Sequence, residues 1–409
     1  MPRGSKTRRE ILRGISGGTM GVVGLGGLAA GRSAGRPRRH VVGTASARAR
    51  RATERAADSV HRVLDFGRIG SAVAGVFPDG RLDALRRRSD VRYVEVDGTM
   101  HAIGRDGHAQ APGGSPGPPG GGGDTSETLP WGIDRVDAEV AHANGETGNG
   151  ADIAVIDTGI DDDHPDLQAN VGAGKAYVDC RGKNCNYPWS DDNDHGTHCS
   201  GIADAVDNSR GVIGVSTAAT LHAVKVLDSN GSGSFSDVAA GIEYTADQGW
   251  DVGSMSLGAS SGSRTVRDAC QYAEENGVLL VAAAGNSGPC TDCVGYPAAY
   301  STVVAVSSTT RSDDLSEFSS TGPEVELAAP GSDIYSTVIG GYDTFSGTSM
   351  ACPHVAGTGG QLMANGYSNT EARDRLRSTA EDIGLPENES GYGLLDTAAA
   401  LGFDSADST

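Results

Sequence analysis

Asp152-Ile-Ala-Val-Ile-Asp157-Thr-Gly-Ile-Asp161 is the stretch that decides the architecture. Ile153 to Ile156 is a short, unbroken apolar run, which suits a strand covered on both sides. It ends on an acidic residue followed by glycine. Similar runs recur downstream at Leu221–Leu227, Val252–Leu257, Val278–Ala284 and Val303–Val306, and helical spacing fits Asp237–Gln248, Thr265–Asn276 and Ser349–Ala364. Strands alternating with helices predict an α/β fold, a parallel β-sheet with helices on both faces. In such folds function gathers at the carboxyl ends of strands, where Asp157 stands. The chain has no internal repeat.

Upstream, the pattern changes. Val41-Val42, Ser71–Phe77 and Val91–Val96 read as strands, with helical spacing over Ala47–Val60 and Leu82–Arg88, so residues 35–110 suggest a small α/β module. Residues 111–124, rich in Gly and Pro, cannot pack a core and read as a linker, and 125–409 as the main domain. Thr7-Arg8-Arg9 followed by the uncharged run Gly14–Ala30 reads as a twin-arginine export signal over 1–34. That run is too glycine-rich for a stable membrane span. The expected product is secreted and extracellular, with no membrane span after processing.

Charge separates the two parts. Residues 1–124 carry 21 Lys/Arg against 11 Asp/Glu, and the remainder carries 12 against 42. After the linker only Lys175, Lys183 and Lys225 remain as lysines. So acidic a domain repels itself, and concentrated salt screens that repulsion, so the composition fits a halophilic protein. It offers little to phosphate, which argues against nucleic-acid binding.

Three residues stand where chemistry needs them. Asp157 follows the first apolar run. His195 opens His195-Gly-Thr-His198, and Ser349 lies in Gly347-Thr-Ser-Met-Ala-Cys-Pro-His-Val-Ala-Gly357, a glycine turn into a helix start. A serine hydroxyl is a weak nucleophile until a base takes its proton. His195 fits the base, and Asp157 fits the group that fixes the imidazole tautomer.

With Ala283-Ala-Gly-Asn-Ser-Gly288, these blocks resemble the four signature blocks of the subtilisin family, in its order Asp…His…Ser, over essentially Leu129–Leu401. The resemblance implies a serine endopeptidase, with Asn286 supplying an oxyanion donor beside the Ser349 N–H. It implies that Gly231-Ser232-Gly233 and Ser256-Leu257-Gly258 pair with an extended protein or peptide substrate. Ala283 and Gly295 would line a roomy pocket favouring large hydrophobic residues before the cut. The loop from Asn286 to Gly295 is shorter than in typical relatives. The upstream module, ending near Tyr93-Val-Glu-Val-Asp97, resembles the family's inhibitory prodomain, so a self-processed zymogen cut near the linker is expected, active as a monomer. The acidic composition is similar to that of the halolysins, without their long C-terminal extension.

The resemblance also implies a structural Ca²⁺ held by Glu127, Asp166 and Asn208 side chains and by the carbonyls of Val206, Arg210 and Val212. Asp191-Asp192-Asn193-Asp194 reads as a solvated acidic run, with a second calcium site as the alternative. Of seven cysteines, Cys180/Cys185 and Cys290/Cys293 suit local disulfides, with a zinc site as the alternative. Cys199, Cys270 and Cys352 read as buried small residues.

Two other function classes fit these residues less well. A silent scaffold would carry a substitution at Asp157, His195, Ser349 or Asn286, and none is seen. A lipase-type elbow would read Gly-x-Ser-x-Gly, whereas Gly347-Thr-Ser-Met-Ala351 does not.

Overall fold

The computed structural model describes residues 38–104 and 126–404. The expected export signal over 1–34 and the linker over 111–124 lie outside the described residues.

The upstream module comprises β1 (Arg39–Thr44), β2 (Ser59–Asp65), β3 (Ser71–Val76) and β4 (Val91–Val96), with helices Ala47–Ala56 and Asp79–Arg86. The strands form an antiparallel sheet in the order β2-β3-β1-β4. Helical spacing over Ala47–Val60 had run too far: the helix stops at Ala56, and Val60 belongs to β2. The strand's sequence, Ser-Val-His-Arg-Val-Leu-Asp, buries only Leu64, so its period is hard to see. Alternate residues serve two cores. Val42 and Val73 pack with Phe77, Leu82 and Leu85 under the module's own helices, while Val41, Leu64, Ala72 and Ala74 join the core of the main domain.

β5 (Thr99–Ala102) leaves the module and enters the main domain. There β6 (Asp152–Asp157), β7 (Lys175–Ala176), β8 (Thr220–Lys225), β10 (Val252–Met255), β12 (Leu279–Ala283), β13 (Val304–Thr309) and β14 (Val325–Pro330) make a seven-stranded parallel sheet in the order β14-β13-β12-β10-β6-β8-β7. The short strands β9 (Ser232–Ser234) and β11 (Leu257–Gly258) lie outside it, and β15 (Ile334–Val338) pairs with β16 (Gly341–Phe345).

Period-two geometry explains the apolar runs. Ile153 and Val155 face one core with helix Thr348–Ala364, whereas Ala154 and Ile156 face the other with helices Phe235–Gln248 and Arg264–Glu275. From β6 the strand order runs to both sides, so Asp157 ends the strand at the topological switch point. Among the described residues no helix is long and apolar enough to cross a membrane.

The module sits on helices Phe235–Gln248 and Arg264–Glu275 through charge as well as apolar contact. Glu95 accepts hydrogen bonds from the N–H groups of Arg264 and Thr265 and from the hydroxyls of Ser263 and Thr265. Asp97 does the same for Ser236 N and Oγ. Each carboxylate thus caps a helix N-terminus, where unpaired N–H groups and the helix dipole favour negative charge. Arg92 reaches Asp268 at 2.6 Å and Arg62 reaches Asp237 at 2.8 Å, both acids being nearly fully buried.

Candidate active site

Asp157 is fixed at the end of β6, and His195 opens the helix His195–Asp204. His195 Nδ1 lies 2.8 Å from Asp157 Oδ1, and both side chains are fully buried. Thr158 ties the pair together: its N–H donates to Asp157 Oδ1, and its hydroxyl accepts from Gly196 N–H. Burial disfavours the imidazolium, but the charge and hydrogen bond of Asp157, with the Ile103 carbonyl, outweigh it and raise the His195 pKa above its usual 6.5. The neighbouring His198 behaves differently. Burial and repulsion from His195 push it down to about 3, so it stays neutral.

The run Asp191–Asp194 is not a solvated acidic face. Asp191 is buried and accepts from Thr197 N and Oγ1 and from Asn193 N, bracing the start of the His195 helix. Asp192 pairs at 2.7 Å with the fully buried Lys225, whose ammonium also bonds the Thr158 and Leu227 carbonyls. These carboxylates went inside because a buried ammonium and backbone N–H groups offset their desolvation.

Ser349 sits in the first turn of helix Thr348–Ala364, after Gly347. Its hydroxyl donates to Ser256 O at 3.0 Å, and His195 Nε2 faces Ile103 O at 3.4 Å. Asn286 Oδ1 accepts from Thr348 N and Oγ1, which fixes the amide orientation and frees Nδ2. A Cβ on Gly347 would lie 3.0 Å from that Nδ2 and 3.2 Å from Ile103 O, so both border one small space.

The cleft holds a peptide strand. β5 runs antiparallel between β9 and β11, pairing Met100 with Gly233, His101 with Ser232 and Gly258, and Ala102 with Leu257. Ala102 N donates to Gly231 O at 2.9 Å and Ile103 N to Ser256 O at 3.1 Å. The six cleft residues singled out in the sequence, Gly231–Gly233 and Ser256–Gly258, therefore all flank one strand. Met100 is fully buried. Ala283 is buried at the end of β12, and Gly295 N bonds Ala284 O beside it. Sequence reasoning did not find β5. Its four residues, Thr-Met-His-Ala, alternate as a strand does, but a run this short carries little signal by itself, and the strand is held by an edge on each side.

Glu127, Asp166 and Asn208 come together. Asn208 N donates to Glu127 Oε1 and Asn208 Nδ2 to Asp166 Oδ1. Burial, and the charges of Asp207 and Asp166, raise the Glu127 pKa, a crowding of hard oxygen donors that a divalent cation would relieve. The residues fit a Ca²⁺. Of the carbonyl contributors expected, Val206 and Val212 also belong to this cluster, their N–H groups bonding Asp166, and Arg210 N bonds Asn208 Oδ1. Cys180–Cys185 and Cys290–Cys293 are disulfides, and Cys199, Cys270 and Cys352 are buried free thiols.

Residues 148–394 match the Subtilase family profile of the S8 peptidases. The chain belongs to the subtilase family. It is 38% identical over 335 residues to Subtilisin E of Bacillus subtilis (strain 168), covering 81% of this chain and 80% of that one. That alignment is longer than 125–409, so it extends into the upstream module. A thermostable alkaline protease of Halalkalibacterium halodurans is 44% identical over 264 residues, 64% of this chain and 70% of its own. Subtilisin Savinase of Lederbergia lenta is 41% identical over 278 residues, 67% of this chain and 99% of its own. This subtilase is a serine endopeptidase of the subtilisin type.

Proposed function

We propose that the enzyme cleaves peptide bonds through Ser349, His195 and Asp157, and that the upstream module is its inhibitory prodomain. The observation that carries the reading is the seat of β5, a peptide strand laid across the cleft with the carbonyl of the following residue, Ile103, against His195. When substrate replaces that tail, Ser349 Oγ turns to His195 Nε2 and attacks the scissile carbonyl as the imidazole takes its proton. Asp157 holds the Nδ1 proton and steadies the imidazolium. Asn286 Nδ2 and Ser349 N–H receive the oxyanion. His195 then protonates the leaving amine, and water completes hydrolysis.

Ala283 and Gly295 leave space for a large hydrophobic residue before the cut. The enzyme is exported by the twin-arginine route, works in concentrated salt and carries a structural Ca²⁺ at Glu127, Asp166 and Asn208. The prodomain reading draws support from the two acid caps, Glu95 and Asp97, which fit the module to helices of the peptidase. A sulfonyl fluoride provides the test. Mature enzyme should gain one covalent adduct on the Ser349 peptide, and His195→Ala should label far more slowly. An adduct elsewhere would remove Ser349 from its role.

A further inference from the structure

We infer that the Cys290–Cys293 disulfide shapes the enzyme's choice of residue before the cut, by holding the rim of the pocket that receives it. A thiol reductant then changes that choice without touching the relay. The inference rests on the pocket reading of Ala283 and Gly295 given above, and deepens it by naming what keeps the pocket in shape.

The loop Asn286–Gly295 joins two parts of the site, the oxyanion amide at one end and the pocket glycine at the other. Between them runs Ser-Gly-Pro-Cys-Thr-Asp-Cys-Val, and none of these eight residues is buried. Only Val294 packs against the core. With so little apolar burial to offset the cost of ordering it, the loop keeps its shape through hydrogen bonds and the crosslink.

Those bonds lead to the segment Phe318–Thr321. Ser320 N–H donates to Gly285 O at 2.8 Å, and its hydroxyl accepts from Ser287 N–H at 3.1 Å. Gly288 N–H donates to Phe318 O at 2.9 Å. Thr321 serves both cysteines: its Oγ1 donates to Cys290 O at 2.6 Å, and its carbonyl accepts Cys293 N–H at 2.9 Å. The disulfide closes that grip into a ring around one residue.

The two ends of the loop differ in what else holds them. Thr348 bonds Asn286 Oδ1 twice, so the amide stays aimed whatever the rim does. Gly295 stands two residues from Cys293. Its N–H donates to Ala284 O at 2.8 Å, and a Cβ on it would lie 3.3 Å from Ala259 O, just past the substrate edge Ser256–Gly258. Ile103, whose carbonyl faces His195, lays its side chain over Gly258 as a bound residue would. Opening the crosslink therefore loosens the wall at Val294 and Gly295 and leaves Asn286 in place.

The step is a thiol–disulfide exchange with a small dithiol. One thiolate of the dithiol attacks a sulfur of the pair, the Cys290–Cys293 bond breaks, and a mixed disulfide forms. The second thiol of the reagent closes on it. The enzyme gains two electrons and two protons as two thiols, and the reagent leaves as a cyclic disulfide. Both half-cystines are partly exposed, whereas the free thiols Cys199, Cys270 and Cys352 are buried.

The test compares peptide anilides with Phe or Ala before the cut, on mature enzyme with and without dithiothreitol. Reduction should lower kcat/KM for the Phe substrate on the order of tenfold, through KM, and leave the Ala substrate within about twofold. Cys290→Ser/Cys293→Ser should match the reduced enzyme and ignore the reagent, while Cys180→Ser/Cys185→Ser should keep the full response. The reagent acts on enzyme already folded, so a variant that fails to fold leaves the comparison standing. Equal losses on both substrates would mean general loosening and overturn the inference. So would an unchanged Phe-to-Ala ratio in reduced enzyme whose Cys290 and Cys293 both take an alkylating label. A wild-type enzyme with no preference for Phe at the outset would overturn the pocket reading, and the inference with it.

Discussion

Ser256 and Ser349 exchange hydrogen bonds: Ser349 Oγ donates to Ser256 O at 3.0 Å, and Ser256 Oγ donates to Ser349 O at 2.9 Å. The Ser256 carbonyl also accepts Ile103 N–H. One residue therefore holds the tail and parks the nucleophile at the same time. His195, deprived of the serine, faces the Ile103 carbonyl instead. In this pose the relay is built but unconnected, and self-processing requires Ser349 Oγ to turn from Ser256 O to His195 Nε2.

This arrangement predicts a pH dependence. The His195 pKa lies above 6.5 in the precursor, partly through the Ile103 carbonyl. Below that pKa the ring is an imidazolium and cannot take the Ser349 proton. Self-processing should accelerate as pH rises, with a midpoint above 6.5, and the mature enzyme should show a lower midpoint once the carbonyl has gone. Rate profiles of precursor and mature enzyme check this, and a precursor midpoint below 6.5 would contradict it.

Asn286 is aimed by Thr348, whose N–H and hydroxyl hold its Oδ1. Asn286→Ala should lower kcat by roughly 10²–10³ with little change in KM, the loss the corresponding amide shows in subtilisin itself, a relative of this chain. Steady-state kinetics on a peptide anilide would read the split. A change confined to KM would make Asn286 a binding residue instead.

Docking of the upstream module depends on buried acids meeting arginines. Residues 38–104 carry 13 arginines against 8 carboxylates, facing an acidic domain. Arg92→Ala leaves the Asp268 carboxylate without its strongest partner, at a cost of about 1–3 kcal/mol, moderated by the partial exposure of Arg92. The cleaved module should be released faster, and its inhibition should weaken as salt rises. Inhibition that is equal at low and high salt would remove the electrostatic part of the docking.

Chelation tests the metal site. A ligand at 100 times its Kd stabilises the native state by about 2.7 kcal/mol. EDTA should therefore lower the Tm of the wild-type protein by several degrees. In Asp166→Asn, which removes a central charge of the cluster, the same treatment should have little effect. An equal drop in both proteins would place the responsible ion elsewhere.

The sequence made the parallel sheet legible because Ile153–Ile156 and Leu279–Ala283 are buried on both faces, which leaves unbroken apolar runs. Asp157, His195 and Ser349 were legible because each sits in a short motif at an element's end. β2 and β5 were not. One half-buries a mixed face against another domain, and the other takes its conformation from strands more than 100 residues away in the chain. Burial of Asp191 and Asp192 was equally hidden, since the donors that offset it are backbone N–H groups and the Thr197 hydroxyl for Asp191 and the ammonium of Lys225, at the end of β8, for Asp192.

The most direct measurement is casein hydrolysis across a salt series by the mature wild-type enzyme and by Ser349→Ala matured with a trace of active protease. Activity should rise with salt in the wild type and fall in the variant by a factor on the order of 10⁴–10⁶, the range known for subtilisin itself when its relay is removed. Activity in Ser349→Ala within tenfold of the wild type would contradict the account.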